Sequence, residues 1–111
     1  MIRARSLALT LALLLPATPA LAGPTAKPAC ARELAMTETS LLKTSIRMQA
    51  VAKVSPGEQC ETYRAHAEVV ARARDVFERC STGAAREQDI GDMNGALDQV
   101  KTAIASACAT Q

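Results

Sequence analysis

His66 is the one histidine of the chain, and its side chain is the best suited to acid–base chemistry or to binding a metal ion. At helical spacing it shares an inward face with Tyr63 and Val70. Catalysis needs oriented partner groups, and no second catalytic group stands at a spacing that converges with this ring. We interpret His66 as a half-buried core residue whose ring nitrogen binds a backbone group or Tyr63. It is the only candidate for a reactive residue, and we predict that the protein is not an enzyme.

A cluster of acidic and amide side chains in the last third of the chain has the composition of a calcium loop; it comprises Asp89, Asp92, Asn94 and Asp98. An EF-hand places glycine at the sixth loop position and an acidic ligand at the first. With Gly95 sixth, the first position is Ile90, and with Gly91 sixth it is Arg86. The pattern therefore predicts no calcium site, and acidic groups near a helix start stabilise the helix dipole instead.

Three methionines, together with His66, offer soft ligands for copper or haem iron. Met48 and Met93 stand in apolar stripes, where methionine ordinarily fills gaps in a core, and only Met36 faces away from its stripe. One methionine does not make a site. We therefore expect no metal and no cofactor.

Hydroxyl side chains follow one side of the first predicted helix at Thr37, Ser40 and Thr44. Such a row either lines a polar-edged ligand groove or forms a helix–helix seam, where small residues allow close approach. The Ala-rich neighbourhood favours the seam, because it indicates tight packing rather than a cavity.

The four cysteines are Cys30, Cys60, Cys80 and Cys108, and no two of them form a Cys-x-x-Cys pair. That spacing excludes thioredoxin-like chemistry, zinc ribbons and covalent haem attachment. In a small exported domain, four cysteines are typical of two disulfides.

Export is predicted by residues 1–22. Two arginines precede an apolar run from Leu7 to Leu15, and Ala20-Leu21-Ala22 provides the small residues of a cleavage site before Gly23. The run is too short to span a membrane, so we predict a cleaved signal peptide, no membrane anchor after cleavage, and a location in the periplasm or outside the cell.

The processed chain is small, with equal numbers of basic and acidic residues once Arg3 and Arg5 are removed. A balanced charge lacks the basic field that nucleic-acid binding requires, so we expect no nucleic-acid partner. Residues 23–28 contain two prolines and predict a flexible tail. Residues 29–111 form the folded domain.

Hydrophobic periodicity predicts three helices over roughly 29–53, 56–80 and 85–109. Ser55-Pro56-Gly57-Glu58 is a capping box with proline at the first helical position, and Gly83 ends the second helix. Short connections make consecutive helices antiparallel. The sequence therefore predicts an all-α fold, a small up-down-up three-helix bundle.

This topology selects the disulfides. Cys60 and Cys80 lie about 30 Å apart on one helix, so they cannot bond each other. Cys30 opens the first helix where Cys80 closes the second, and Cys60 opens the second where Cys108 closes the third. We therefore predict Cys30–Cys80 and Cys60–Cys108 bridges.

Function is predicted mainly by exclusion. The leading hypothesis is a small exported protein, stapled by disulfides, that binds a protein or peptide partner. The alternative is a carrier of a small hydrophobic ligand between the helices, which would need a real cavity. An enzyme that uses His66 is a third possibility with less support.

Overall fold

A computed structural model describes residues 26–109, and the predicted signal peptide and its cleavage site lie outside these residues. A single 3₁₀ turn, Pro28–Cys30, leads into three α-helices. These are α1 (Ala31–Val51), α2 (Pro56–Cys80) and α3 (Gly83–Cys108). The predicted all-α fold is confirmed, with helix ends within two residues of those expected from periodicity.

The start of α2 follows from its capping residues. Ser55 has extended backbone angles, and its hydroxyl oxygen accepts a hydrogen bond from the backbone N–H of Glu58 at 3.4 Å. Pro56 occupies the first turn, where a missing N–H costs nothing. Gln59 adds side-chain bonds to the carbonyls of Ala52 and Val54, which closes the connection from α1.

The turn between α2 and α3 consists of Ser81 and Thr82 only. Gly83 begins α3 with φ +61°, a left-handed conformation that glycine adopts without steric cost. The hydroxyl of Ser81 donates to a carboxylate oxygen of Asp89 at 2.9 Å, which ties this turn to the second turn of α3.

The middle helix, α2, holds the core together. It packs against both α1 and α3, which have at most a marginal contact with each other in the described part of the chain. Seven α2 side chains are buried, against Val100 and Ala107 in α3 and Thr44 alone in α1. The α2 set is Cys60, His66, Val70, Ala73, Val76, Phe77 and Cys80.

Both predicted disulfides are present, one at each end of the bundle. Cys30–Cys80 joins the start of α1 to the end of α2, with Cα atoms 5.5 Å apart. Cys60–Cys108 joins the start of α2 to the end of α3, with Cα atoms 5.0 Å apart. The pairing confirms the helix order and the antiparallel arrangement of consecutive helices.

Part of the predicted tail, residues 23–28, lies on the bundle. Ala26 forms an isolated antiparallel bridge with Ser81, and the backbone N–H of Lys27 donates to the carbonyl of Cys80 at 2.9 Å. These bonds use backbone groups at the end of α2 that no helix satisfies.

Candidate functional site

The seam between α1 and α2 contains the one histidine. His66 is 8% exposed, and its Nδ1 lies 2.7 Å from the hydroxyl oxygen of Thr44. The hydroxyl is also 3.1 Å from the carbonyl oxygen of Ser40, one turn earlier on α1. The hydroxyl has a single proton, so it either donates to Ser40 and accepts from Nδ1–H, or donates to an unprotonated Nδ1. In both arrangements Thr44 satisfies the buried nitrogen.

The environment of His66 favours the neutral ring. Burial lowers the pKa of His66 below its ordinary value, because the charged form loses its hydration. The expected partner of the ring, Tyr63 or a backbone group, is wrong: the partner is a threonine on the neighbouring helix. Thr44 thus belongs to the helix–helix seam, as the row of hydroxyl residues predicted.

The other two members of that row lie beside an open groove. Thr37 and Ser40 line a depression of about 270 Å³ between α1 and α2, with Val69, Ala73 and Val76 of α2 also in its lining. Glu33, Met36 and Arg72 complete the lining. The row is therefore divided, because Thr44 closes the seam while Thr37 and Ser40 border a small cavity. The hydroxyl of Thr37 is already bonded to the carbonyl of Glu33 at 2.8 Å.

An ion pair crosses from α1 to α2 at one end of this groove. Arg79 donates to both carboxylate oxygens of Glu33, with the shorter contact at 2.7 Å. The hydrogen bond from Arg79 lowers the pKa of Glu33, and the pKa of Arg79 rises correspondingly. Asp75 stands four residues before Arg79 on the same helix, the spacing that favours an ion pair within one helix. The observed partner of Arg79 is on another helix instead.

The same ion pair adjoins the Cys30–Cys80 bridge. The two cysteine sulfurs and a Glu33 carboxylate oxygen form a close group of potential metal ligands among residues 26–109. The sulfur atoms are bonded to each other, so they are not available as thiolates. This group is therefore structural in the oxidised protein.

The acidic cluster of α3 is dispersed among different partners. Asp89 accepts from Ser81, and the side-chain oxygen of Asn94 accepts from Arg74 of α2 at 2.7 Å. Asp92 and Asp98 are exposed. Asp89 and Asn94 therefore serve as separate links from α3 to the α2–α3 turn and to α2.

The methionines lie as their spacing predicted. Met48 and Met93 are half-buried, whereas Met36 is exposed beside the groove. They stand on different helices from His66, whose Nδ1 already contacts Thr44. The positions of Met48 and Met93 fit a packing role, and Met36 lines the groove between α1 and α2.

The outer face of α1 is the feature that sequence reasoning missed. Leu42 and Ile46 stand two residues before and after the buried Thr44, so they lie about 160° around the helix from it. They are 62% and 56% exposed. Ala35, Thr39, Leu42 and Ile46, all exposed, follow one another at steps of four, three and four residues. We name these four residues the outer stripe.

The outer stripe could have been found in the sequence. Leu42 and Ile46 are four residues apart, one helical turn, on a face other than that of Leu34, Leu41 and Met48. The inward pattern of Leu34, Leu41 and Met48 predicts the helix by itself, so it does not draw attention to a second periodic pattern on the same helix.

Comparisons with known protein families, with characterised proteins and with solved structures found no match. Within residues 26–109, no helix combines the length and hydrophobicity needed to cross a bilayer.

Proposed function

We propose that this chain is an exported, non-enzymatic protein that binds a polypeptide partner through the outer stripe of α1. One observation carries the proposal. Two of the large apolar side chains exposed in the described part of the chain, Leu42 and Ile46, lie one turn apart on the outer stripe, whereas Val54 lies in the turn after α1 and outside the stripe. Apolar side chains grouped on one element mark an interaction surface, whereas scattered ones do not.

The form of this surface favours a helix or an extended segment as the partner. A helix that presents apolar stripes on two opposite sides usually contacts other elements on both. The inward side of α1 contacts α2, and the outer stripe has no neighbour in the described chain. Its four-three-four spacing matches the way an amphipathic helix is bound by another helix.

The contacts of His66 support a non-enzymatic role. Its Nδ1 is bonded to Thr44, its ring is buried, and its pKa is lowered by burial. A residue held in a helix–helix seam stabilises the fold. It is poorly placed to exchange protons with a substrate.

Export is supported by two features. The first 22 residues have the pattern of a signal peptide, and the two disulfides are compatible with an oxidising compartment. We propose the periplasm or the cell exterior as the location, with cleavage before Gly23.

A second candidate function rests on the groove between α1 and α2. Its apolar lining of Val69, Ala73 and Val76 from α2 and Met36 from α1 would accept a small hydrophobic ligand. Its volume of about 270 Å³ lies just below the usual range for ligand pockets, about 300–1,000 Å³.

The test compares partner capture by surface variants. The exported protein carries an affinity tag, is cross-linked in living cells, and is purified from the envelope fraction. A Leu42→Ser, Ile46→Ser variant removes the apolar part of the stripe, and Val54→Ser removes an exposed apolar side chain elsewhere. We expect the double variant to lose its cross-linked polypeptide at least several-fold, while Val54→Ser keeps it.

Equal capture by the double variant and the unaltered protein would contradict the proposal. Mass spectrometry of solvent extracts from the same samples tests the second candidate. A bound lipid that is retained by the double variant and lost in Val69→Asp would favour the groove.

A further inference from the structure

We propose that the polypeptide bound by the outer stripe is α3 of a second copy of this chain. The protein would then assemble head to tail, with the α1 edge of one copy on the α3 edge of the next. This inference rests on the proposed function and names the partner of the same surface.

Charge distinguishes the two edges of the molecule. Residues 31–53 carry four cations and two acids, whereas residues 83–108 carry two cations and four acids. Because α2 lies between α1 and α3, the basic and acidic helices stand on different sides of it. The two edges are therefore complementary between copies.

The charged groups on both edges are available for a partner. In α1 and the turn after it, Arg32, Lys43, Arg47 and Lys53 are exposed, and none has an ion pair within residues 26–109. On α3, Asp92 and Asp98 are likewise exposed and without a cation in that part of the chain. Arginines 74, 79 and 86, in contrast, all have carboxylate partners.

The outer face of α3 also has a shape that a large side chain can enter. Gly91 lies nine residues before the buried Val100, so it stands on the opposite side of the helix, and Gly95 is one turn further on. A Cβ atom added at either glycine would meet nothing within 4 Å. Packing within one copy therefore does not require these glycines, although glycine favours helix less than alanine does.

The exposed residues on the outer face of α3 have the same sequence spacing as those of the outer stripe of α1. The exposed positions Ala84, Gln88, Gly91, Gly95, Asp98 and Thr102 follow one another at steps of four, three, four, three and four residues. The outer stripe of α1 has the steps four, three and four. Faces with this spacing interlock as knobs into holes, with Leu42 and Ile46 as knobs and the glycine positions as holes.

A symmetric pair of α1 helices is the competing arrangement. A twofold interface brings the same patch of both copies together. Lys43 and Arg47, which flank the outer stripe, would then meet a second basic patch, and like charges oppose that contact. Contact between α1 and α3 avoids this repulsion and brings opposite charges together.

The test uses two blocked variants of the exported protein. Leu42→Asp with Ile46→Asp blocks the α1 edge, because the added negative charges would be repelled by the acidic α3 edge of another copy. Gly91→Arg with Gly95→Arg blocks the α3 edge, because the added positive charges would be repelled by the basic α1 edge. Circular dichroism and denaturant unfolding check that both variants fold, and sedimentation velocity measures assembly.

We expect the unaltered protein to associate increasingly with concentration and less at high salt. Each blocked variant should be a monomer, and an equimolar mixture should form a one-to-one dimer, because each variant keeps the edge that the other lacks. Dimers of the α3-blocked variant alone would overturn the proposal in favour of α1–α1 pairing. An unaltered protein that stays monomeric would also overturn it, while cross-linking to a different polypeptide would leave the proposed function standing.

A milder pair of substitutions separates association from folding. Gly91→Ala with Gly95→Ala should raise the stability of the monomer, because alanine favours helix, and should weaken association about tenfold by filling the holes. Unchanged association in this variant would contradict the knob-into-hole contact.

Discussion

The hydroxyl oxygen of Thr44 lies 2.7 Å from Nδ1 of His66, and this contact joins the only buried side chain of α1 to α2. With the Cys30–Cys80 bridge and the Glu33–Arg79 ion pair, it sets how α1 sits on the bundle. The rotation of α1 that buries Thr44 also turns Leu42 and Ile46 outward. The seam and the proposed interaction surface are therefore two consequences of one helix orientation.

Thr44→Val should lower the free energy of unfolding by about 1–2 kcal/mol, because it leaves a buried ring nitrogen without its partner. Urea unfolding measures the change. Thr39→Val is the matched control: its exposed hydroxyl bonds only the carbonyl of Ala35, so the effect should be below about 0.5 kcal/mol. A double-mutant cycle with His66→Gln should give a coupling of about 1 kcal/mol, and additive effects would contradict the bond.

Stability should fall in mildly acidic solution because of His66. Its pKa is lowered in the folded protein, so the unfolded chain binds the proton more readily. The free energy of unfolding should decrease as pH falls below the ordinary value of 6.5, and level off once pH drops below the lowered pKa. His66→Gln should remove this step from a series of urea titrations and leave partner binding within a few-fold.

Protonation of Glu33 should lower the free energy of unfolding in a second pH range, more acidic than that of His66. Its pKa is lowered by the hydrogen bond from Arg79, so the carboxylate contributes stability above the ordinary value of 4.5 and loses it as pH falls further. Glu33→Gln should diminish this second step without altering the first. A single step that both variants share would show that neither assignment is right.

Removal of the two disulfides should have different local effects. Each closes a loop of about 50 residues, which the loop-entropy model values at about 4 kcal/mol. Since α1 packs mainly on α2 within residues 26–109, Cys30→Ala with Cys80→Ala should increase hydrogen exchange mainly in α1. The corresponding variant of Cys60 and Cys108 should increase it mainly at the end of α3. Equal loss of protection in all helices would indicate that the bundle unfolds only as a unit.

Two glycines in α3 should respond in opposite directions to alanine. Gly83 has φ +61°, so Gly83→Ala should destabilise the protein by about 1 kcal/mol. Gly91 is helical and open, so Gly91→Ala should stabilise the monomer by about 0.5–1 kcal/mol. Thermal unfolding under dilute, monomeric conditions measures both. A stabilising Gly83→Ala would contradict the left-handed turn.

The fold was predictable because its determinants are local. Helical periodicity, the Ser55 cap and the short connections place the helix ends, and the ends alone decide which cysteines meet. The contacts across the seam were less predictable, because they depend on the rotation of α1 about its axis. If α1 were rotated by one residue about its axis, a neighbour of Thr44 would be buried in the seam in its place.

The Glu33–Arg79 pair illustrates the same limit. Two acids lie within reach of Arg79, one on its own helix and one 46 positions earlier in the chain. Sequence spacing favours Asp75 within α2, whereas the disulfide between Cys30 and Cys80 brings Glu33 close. Knowledge of the disulfide, combined with helix geometry, would have identified the pair.

The outer stripe can be recognised only from the sequence and the structure together. Periodicity can reveal two apolar stripes on α1, and only the packed bundle decides which one is covered. The proposed function depends on that decision, so the most direct measurement probes the stripe itself.

A photoreactive amino acid at position 46 of the exported protein, compared with the same probe at exposed Arg64 of α2, makes that measurement in living cells. We expect a polypeptide adduct from position 46 and none from position 64. If the partner is a second copy, the adduct contains a peptide from residues 84–102 of this chain. Equal adducts at both positions, or no polypeptide adduct at position 46, would contradict the claim that the outer stripe of α1 is a binding surface.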